Sequence, residues 1–84
     1  MRHWASPSFW RCYRELPLSI QELADKNIKL LRSNPQHPSL HLKTVGKYWS
    51  VRVGRKYRAL AIETGQELVW FWIGTHAEYD KLVE

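Results

Sequence analysis

The spacing of apolar positions predicts two helices in the first part of the chain. Residues 5–16 have their large apolar side chains on one helical face, and Ser6 is a suitable N-cap. A second helix is expected from a capping box at Ser19 and Glu22 to Asn34. Because the link between the two helices is short, we expect them to pack as an antiparallel hairpin.

The pattern then changes from helical spacing to the alternation typical of strands. Residues 34–43 are rich in proline and indicate an extended connection. Three strands follow at 49–53, 57–63 and 67–73, separated by short turns. The third has no alternation, which favours a central strand covered on both faces. Residues 2–5 are a candidate short edge strand beside it.

The end of the chain predicts a last, short helix. Thr75 and Glu78 have the spacing of a capping box. The sequence therefore predicts an α+β fold. An N-terminal antiparallel helix hairpin would pack on a small antiparallel β-sheet, a three-stranded meander with a possible N-terminal edge strand, followed by a C-terminal helix. We expect a single domain, residues 1–84.

Charge is distributed unevenly along the chain. The formal net charge is +5, and no acidic residue occurs between Asp25 and Glu63. The cations of this stretch are Lys26, Lys29, Arg32, Lys43, Lys47, Arg52, Arg55, Lys56 and Arg58. Such a segment favours a phosphate-rich or acidic protein partner, the alternative being a merely basic, solvated surface.

Other classes of protein are disfavoured. The sequence has no apolar run long enough to span a membrane and no signal-peptide core, so we expect a cytoplasmic protein. Cys12 has no partner for a disulfide. The four histidines, His3, His37, His41 and His76, are not spaced as metal ligands, so no metal or other cofactor is expected.

The most informative candidate site depends on the turn between the first two predicted strands. If 54–56 form a three-residue loop, Arg52 lies directly across from Arg58 on one face of the sheet. Like charges placed in this way repel, which is easier to tolerate where an anion binds between them. A two-residue loop would put the arginines on opposite faces. Glycine at one end of the loop favours the three-residue register.

The third strand should bring His76 to this arginine pair. Arginine binds phosphate in a bidentate manner, and histidine transfers protons near neutral pH. Together they suit metal-free attack of a ribose 2′-hydroxyl on its own phosphodiester. Tyr79, one helical turn further on, either points at the same site or packs against Trp72 or the second helix. The candidate catalytic residues are thus His76, Arg58, Arg52 and Tyr79.

A second set of basic residues is expected to bind RNA or its phosphates around this site. These residues are Lys43, Arg55, Lys56 and His41. By contrast, Trp70 and Trp72 are expected in the core rather than as base-stacking residues.

Three stretches, in order along the chain, resemble one family of proteins. They are LPLSIQELADKNIKLLRSNPQHPSLHLKTV, WSVRVGRKYRALAI and IGTHAEYDKL. Together they resemble the RelE/ParE toxin superfamily of bacterial type II toxin–antitoxin systems, and the last is similar to the C-terminal corner of HigB- and YafQ-like members. The resemblance implies a microbial RNase fold, cleavage of mRNA on the ribosome, and an antitoxin partner encoded by a neighbouring gene.

Carried over by position, the resemblance assigns roles to individual residues. Arg58 would bind the scissile phosphate, His76 would transfer a proton, and Arg52 stands where RelE-like members have the second of two lysines. The chain departs from the pattern at Ser50, in place of the other lysine, and at Asp80, in place of an aromatic residue of YafQ-like members. Two alternatives stay open, a ParE-type toxin that binds DNA gyrase and a non-toxic binding module.

Overall fold

A five-stranded sheet with two helices on one face organises the chain. The computed structural model describes residues 2–84, so Met1, the first residue of the expected domain, lies outside the described residues. The elements are β1 (Arg2–Ala5), α1 (Pro7–Arg14), α2 (Leu18–Ser33), a 3₁₀ turn (Pro38–Leu40), β2 (Lys43–Val45), β3 (Tyr48–Val53), β4 (Tyr57–Thr64), β5 (Glu67–Thr75) and α3 (His76–Val83). The strand order is β1-β5-β4-β3-β2, and only β1–β5 is parallel. The predicted α+β fold is confirmed.

Helix α1 begins as predicted and lies against β5. The Ser6 hydroxyl accepts a hydrogen bond from the Phe9 amide, and Phe9 is buried in the core. The Ser8 hydroxyl donates to the Phe71 carbonyl over 2.8 Å. The helix is joined to α2 by the Tyr13 hydroxyl, which donates to the Asp25 carboxylate over 2.8 Å.

Helix α2 begins one residue before the predicted capping residue. Pro17 is its N-cap, with no side-chain hydrogen bond, so the capping box proposed at Ser19 is wrong. The proline ring fixes φ near the helical value and can therefore start the helix without a polar cap. The side chain of Asn27 donates to the Arg52 carbonyl over 3.1 Å, which fixes α2 against β3.

The core fills the space between these two helices and one face of the sheet. We call this the helix face and the opposite side the open face. The core residues are Phe9, Leu16, Ala24, Leu31, Leu40, Val51, Val53, Ala59, Ala61, Leu68, Trp70 and Ile73. Trp70 is thus a core residue, as predicted, and its indole N–H donates to His3 Nδ1 over 3.1 Å.

Strand β2 was not predicted, because three residues are too few to show alternation. It occupies the end of the expected extended connection and pairs antiparallel with β3, Lys43 lying opposite Ser50. Gly46, with φ +60°, turns the chain between the two strands. This hairpin makes Lys43 part of the sheet rather than of a linker.

The prediction that β5 is covered on both faces is wrong. Its pairing with β4 skips Phe71, since Trp70 pairs with Ala61 and Trp72 pairs with Leu60. This β-bulge interrupts the alternation of inward and outward side chains. The side of β5 that carries Phe71 and Trp72 is only half-buried. The absence of alternation in the sequence of β5 is therefore due to the bulge at Phe71, and part of its aromatic surface is exposed.

The turn glycines allow a prediction about what fixes the β3–β4 register. Gly54 has φ +66°, and a Cβ there would lie 2.7 Å from Leu23 Cδ2. Gly65 has φ +61° with nothing within 4 Å of its Cβ position. We expect Gly65→Ala to cost about 1 kcal/mol of unfolding free energy for the left-handed backbone. Gly54→Ala should cost somewhat more, about 1.5 kcal/mol, because the terminal methyl group of Leu23 must also move.

Urea denaturation of both variants measures this difference directly. Equal losses of stability would mean that Leu23 can move away and that the contact does not constrain the turn.

Candidate active site

The three-residue loop is confirmed, and it pairs the two arginines. Val53 lies opposite Tyr57, and Arg52 lies opposite Arg58. Because directly opposed residues point to the same side of a sheet, both guanidinium groups lie on the open face. Val53 is in the core, which places its neighbour Arg52 on the other side.

Hydrogen bonds hold Arg52 in place, but among residues 2–84 no carboxylate forms a salt bridge with its guanidinium group. Its backbone carbonyl is bound by Asn27, and its Nη1 lies 3.4 Å from Nε2 of His41. Its Nε is buried and has no hydrogen-bond partner among residues 2–84. A buried donor without an acceptor is costly, so the Arg52 guanidinium keeps an unmet hydrogen-bonding capacity at this point of the sheet.

Arg58 is half-buried beside it. Its Nη1 donates to the Tyr57 carbonyl over 2.7 Å, which turns the guanidinium back along its own strand. Burial lowers the pKa of Arg58, and the positive charge of Arg52 lowers this pKa further. The guanidinium remains protonated at any physiological pH, so the two cations repel each other and an anion between them would relieve that repulsion.

His76 arrives next to this pair because β5 ends beside the start of β4. Gly74 is the partner of Arg58, and the His76 amide donates to the Lys56 carbonyl over 2.7 Å. The imidazole Nδ1 lies 3.1 Å from the Asp80 carboxylate. A carboxylate only accepts hydrogen bonds, so Nδ1 carries the proton and, in the neutral ring, Nε2 is free to act as a base.

The predicted capping box at the start of α3 is confirmed. The Thr75 hydroxyl accepts from the Glu78 amide, and the Glu78 carboxylate accepts from the Thr75 amide over 3.0 Å. Hydrogen bonds from the Thr75 backbone and hydroxyl hold the pKa of Glu78 below its ordinary value. The cap fixes the direction in which α3 leaves the sheet and thereby the position of His76.

A glycine is required just before this cap. A Cβ at Gly74 would lie 2.5 Å from Trp72 Cζ2 and 2.9 Å from the Glu78 carboxylate. The indole of Trp72 therefore lies across Gly74 on the open face, half-buried, instead of in the core as predicted.

Tyr79 is buried next to the site rather than exposed in it. Its side chain is 7% exposed, and its ring centre lies 5.7 Å from that of His76. It is also close enough to Arg58 to influence the pKa of that residue. The ring is thus buried, and it lies beside the imidazole of His76.

The predicted RNA-binding residues lie at different positions relative to the arginine pair. Lys43 is exposed on the open face, opposite Ser50 and diagonal to Arg52. Arg55 and Lys56 are exposed in the β3–β4 turn. His41 has a left-handed backbone, with φ 46°, and reaches the arginine pair through its ring.

Sequence reasoning did not identify Asp80 as part of the site. Its carboxylate binds the His76 ring and is also near enough to act on the pKa of Arg58. The signal was present, because residues four apart on a helix lie side by side. Among residues 2–84 we find neither a cluster of three metal-ligating side chains nor a helix long and apolar enough to span a membrane.

A model of the ParE-like toxin domain matches residues 18–81, which is well over half of the chain. This chain belongs to the family of ParE-like toxin domains. None of the curated protein sequences is similar enough to count as a match.

Solved structures support the same fold for this ParE-like domain at low sequence identity. The RelB–RelE antitoxin–toxin complex from Methanococcus jannaschii contains a chain with a TM-score of 0.73 and 16% identity, over 96% of this chain and 99% of that one. YafQ from Escherichia coli strain BL21(DE3) has a TM-score of 0.69 and 17% identity, over 94% and 98% of the two chains. The isolated Escherichia coli RelE toxin has a TM-score of 0.63 and 12% identity, over 99% and 98%.

The arginine pair of this ParE-like domain should respond to anions. We expect sulfate at tenfold its Kd to stabilise the wild-type domain by about 1.4 kcal/mol. Arg52→Met removes the repulsion and keeps the apolar stem, so without sulfate it should be no less stable than wild type. Addition of sulfate should raise the unfolding free energy of Arg52→Met only slightly.

Thermal unfolding with and without sulfate measures both effects. Lys26→Met, an exposed cation on α2, is the matched control and should keep the wild-type response. A large loss of stability in Arg52→Met without sulfate would identify Arg52 as a structural residue.

The cap of α3 should be sensitive to acid. Because the pKa of Glu78 is lowered by folding, its stabilisation is present above the ordinary value of 4.5 and disappears as the pH falls through the lower folded value. Glu78→Gln should therefore be less stable than wild type at pH 7, by about 0.5–1 kcal/mol.

Urea titrations between pH 7 and pH 3 test this sign. The difference between wild type and Glu78→Gln should shrink as the pH falls, and a difference independent of pH would rule out the carboxylate as its source.

Proposed function

We propose that this ParE-like domain is the toxin component of a type II toxin–antitoxin system and a metal-independent endoribonuclease that cleaves mRNA on the ribosome. The observation that carries the proposal is the cross-strand pair Arg52–Arg58 with His76 delivered beside it. Paired guanidinium groups suit a phosphodiester, and an imidazole with a free Nε2 suits proton transfer.

Apart from one proton taken from solvent, the proposed chemistry uses only side chains of this domain. His76 Nε2 takes the proton from a ribose 2′-hydroxyl, and the 2′-oxygen attacks the adjacent phosphorus. The bond from phosphorus to the 5′-oxygen breaks, and this oxygen leaves with a proton from solvent, giving a 2′,3′-cyclic phosphate and a 5′-hydroxyl. Arg52 and Arg58 stabilise the negative charge that builds up on the phosphoryl oxygens.

Asp80 and Tyr79 support His76 rather than react. The Asp80 carboxylate keeps the proton on Nδ1 and stabilises the imidazolium that forms after proton transfer. The buried Tyr79 ring limits the orientations open to the imidazole. Lys43, Arg55, Lys56 and His41 extend the positive field along which an RNA strand approaches.

The proposal includes the partners that such a toxin requires. An antitoxin encoded by a neighbouring gene would bind this domain and block its activity, as suggested by the similarity to a chain solved in an antitoxin–toxin complex. Because its proposed substrate is mRNA bound to the ribosome, we propose that it acts in the cytoplasm.

A second candidate function is a ParE-type toxin that binds DNA gyrase, which the match to the ParE-like family model favours. A third, a non-toxic binding module, would use the same fold without cleavage. Both differ from the nuclease in that His76 would have no chemical role.

Primer extension on a reporter mRNA tests the nuclease after induction of this domain in a bacterium. A second reporter with its start codon destroyed is the untranslated control. We expect cuts only in the translated message. Cuts in both messages would mean that the ribosome is not needed. Intact messages together with DNA-damage signalling would indicate gyrase instead.

Substitutions in the site should reduce cleavage by amounts that match their roles. His76→Ala should slow cleavage roughly 10²–10⁴-fold, as for loss of a general base. Arg58→Ala should slow it roughly 10²–10³-fold by removing charge stabilisation. Asp80→Asn should lower kcat and alter its pH profile while RNA affinity is retained. Lys81→Ala, an exposed neighbour, is the control, and full cleavage by His76→Ala and Arg58→Ala would refute the site assignment.

A further inference from the structure

The open face carries a second feature, away from the arginine pair, for which the cleavage step has no use. Three of its side chains are aromatic and accessible to solvent, Trp4 being exposed and Tyr48 and Phe71 partly buried, and we call them the aromatic strip. Trp4 is 50% exposed, and the rings of Tyr48 and Phe71 lie 5.4 Å apart between centres. Folding alone would favour burial of such rings.

Strand register places the strip on one surface. Trp4 pairs with Val69 of β5, and Val69 pairs with Ile62 of β4. Trp49 pairs with Ala61, so the next residue back along β3, Tyr48, lies beside Ile62. Ile62 is itself 39% exposed, which shows that α3 does not cover this part of the open face.

The charges around the strip are suited to a polyanion. The Arg2 guanidinium lies 5.2 Å from the centre of the Trp4 ring, and Lys47 Nζ lies 5.5 Å from that of Tyr48. Glu67 is the carboxylate at this end, and it is occupied by the Trp4 indole N–H and by Arg2. Each outer ring thus has a cation beside it, the arrangement that single-stranded nucleic-acid sites use.

The strip is continuous with the arginine pair. Tyr48 and Arg52 are on the same strand and on the same face, four residues or about 13 Å apart. Ser50 lies between them, with Lys43 at its side. An extended strand with one phosphate at the arginine pair would therefore cross Lys43 and reach Tyr48 within a few nucleotides.

We propose that the aromatic strip stacks the bases of single-stranded RNA that flank the phosphate held by Arg52 and Arg58. This inference rests on the proposed function for its choice of nucleic acid. A protein partner would need only the apolar area of the strip, whereas bases need the flat ring faces. Replacement of a ring by leucine separates the two, because leucine keeps apolar area and loses stacking.

The test is binding of a fluorescently labelled 2′-O-methyl RNA oligonucleotide to the purified domain. Without a 2′-hydroxyl this RNA cannot be cleaved, so binding is measured apart from catalysis. Trp4→Leu and Tyr48→Leu should each weaken binding about tenfold. Trp10→Leu is the matched control, because Trp10 is 38% exposed but lies on α1, away from the open face. Higher salt should weaken binding by all the variants.

The outcomes also distinguish this inference from the nuclease. Oligonucleotide affinity that is unchanged in both strip variants overturns the inference, whatever the cleavage assay gives, and leaves the strip as a surface for protein. Loss of affinity in Trp4→Leu and Tyr48→Leu, with no cleavage of any message by wild type, supports the strip and overturns the nuclease. Because Trp4 lies on β1 and Tyr48 on β3, a folding defect confined to β1 in Trp4→Leu would leave the Tyr48→Leu measurement valid.

Discussion

Two like charges are fixed opposite each other by the register of a single hairpin, and the candidate site depends on this constraint. The left-handed backbone of Gly54 closes a three-residue loop, so Arg52 and Arg58 share a face. A loop one residue shorter would move one of them into the apolar core. The hydrogen bond from the Asn27 side chain to the Arg52 carbonyl holds this register from the helix side. The core therefore holds together a pair of charges that would otherwise separate.

The other half of the site follows from the length of β5. This strand continues past β1 to Thr75, and its last residues pair with the start of β4 beside the arginines. The helix that follows is capped at once, so His76 cannot move away along the chain. Spacing along that helix then brings Asp80 to the imidazole. The end of β5 and the short helix α3 thus together fix the position of His76, select its tautomer and bury Tyr79.

Much of this could be predicted from the sequence, because the elements that matter have strong local signals. Helical spacing, the Thr75–Glu78 capping box and the glycine in the β3–β4 loop predicted the order of elements and the pairing of Arg52 with Arg58. The misses have physical causes. Strand β2 is too short to alternate, and the bulge at Phe71 made a half-exposed strand look fully buried. The ion pair of Asp80 with His76 depends on side-chain direction rather than on residue type, so the sequence did not assign Asp80 to the site.

The open face bears a cost in stability that the fold does not require. A small domain has little apolar burial to spare, yet this one leaves Trp4 half-exposed and Arg52 Nε unpartnered. Both features occur on the same side of the sheet, while α1 and α2 pack a continuous core on the other side. Exposed apolar side chains also occur on the helices, as at Trp10 of α1, so small size accounts for part of this exposure. Particular to the open face is that an exposed ring and an unpartnered guanidinium nitrogen occur on it together, which favours a single extended ligand that contacts the charges at one end and covers the rings at the other.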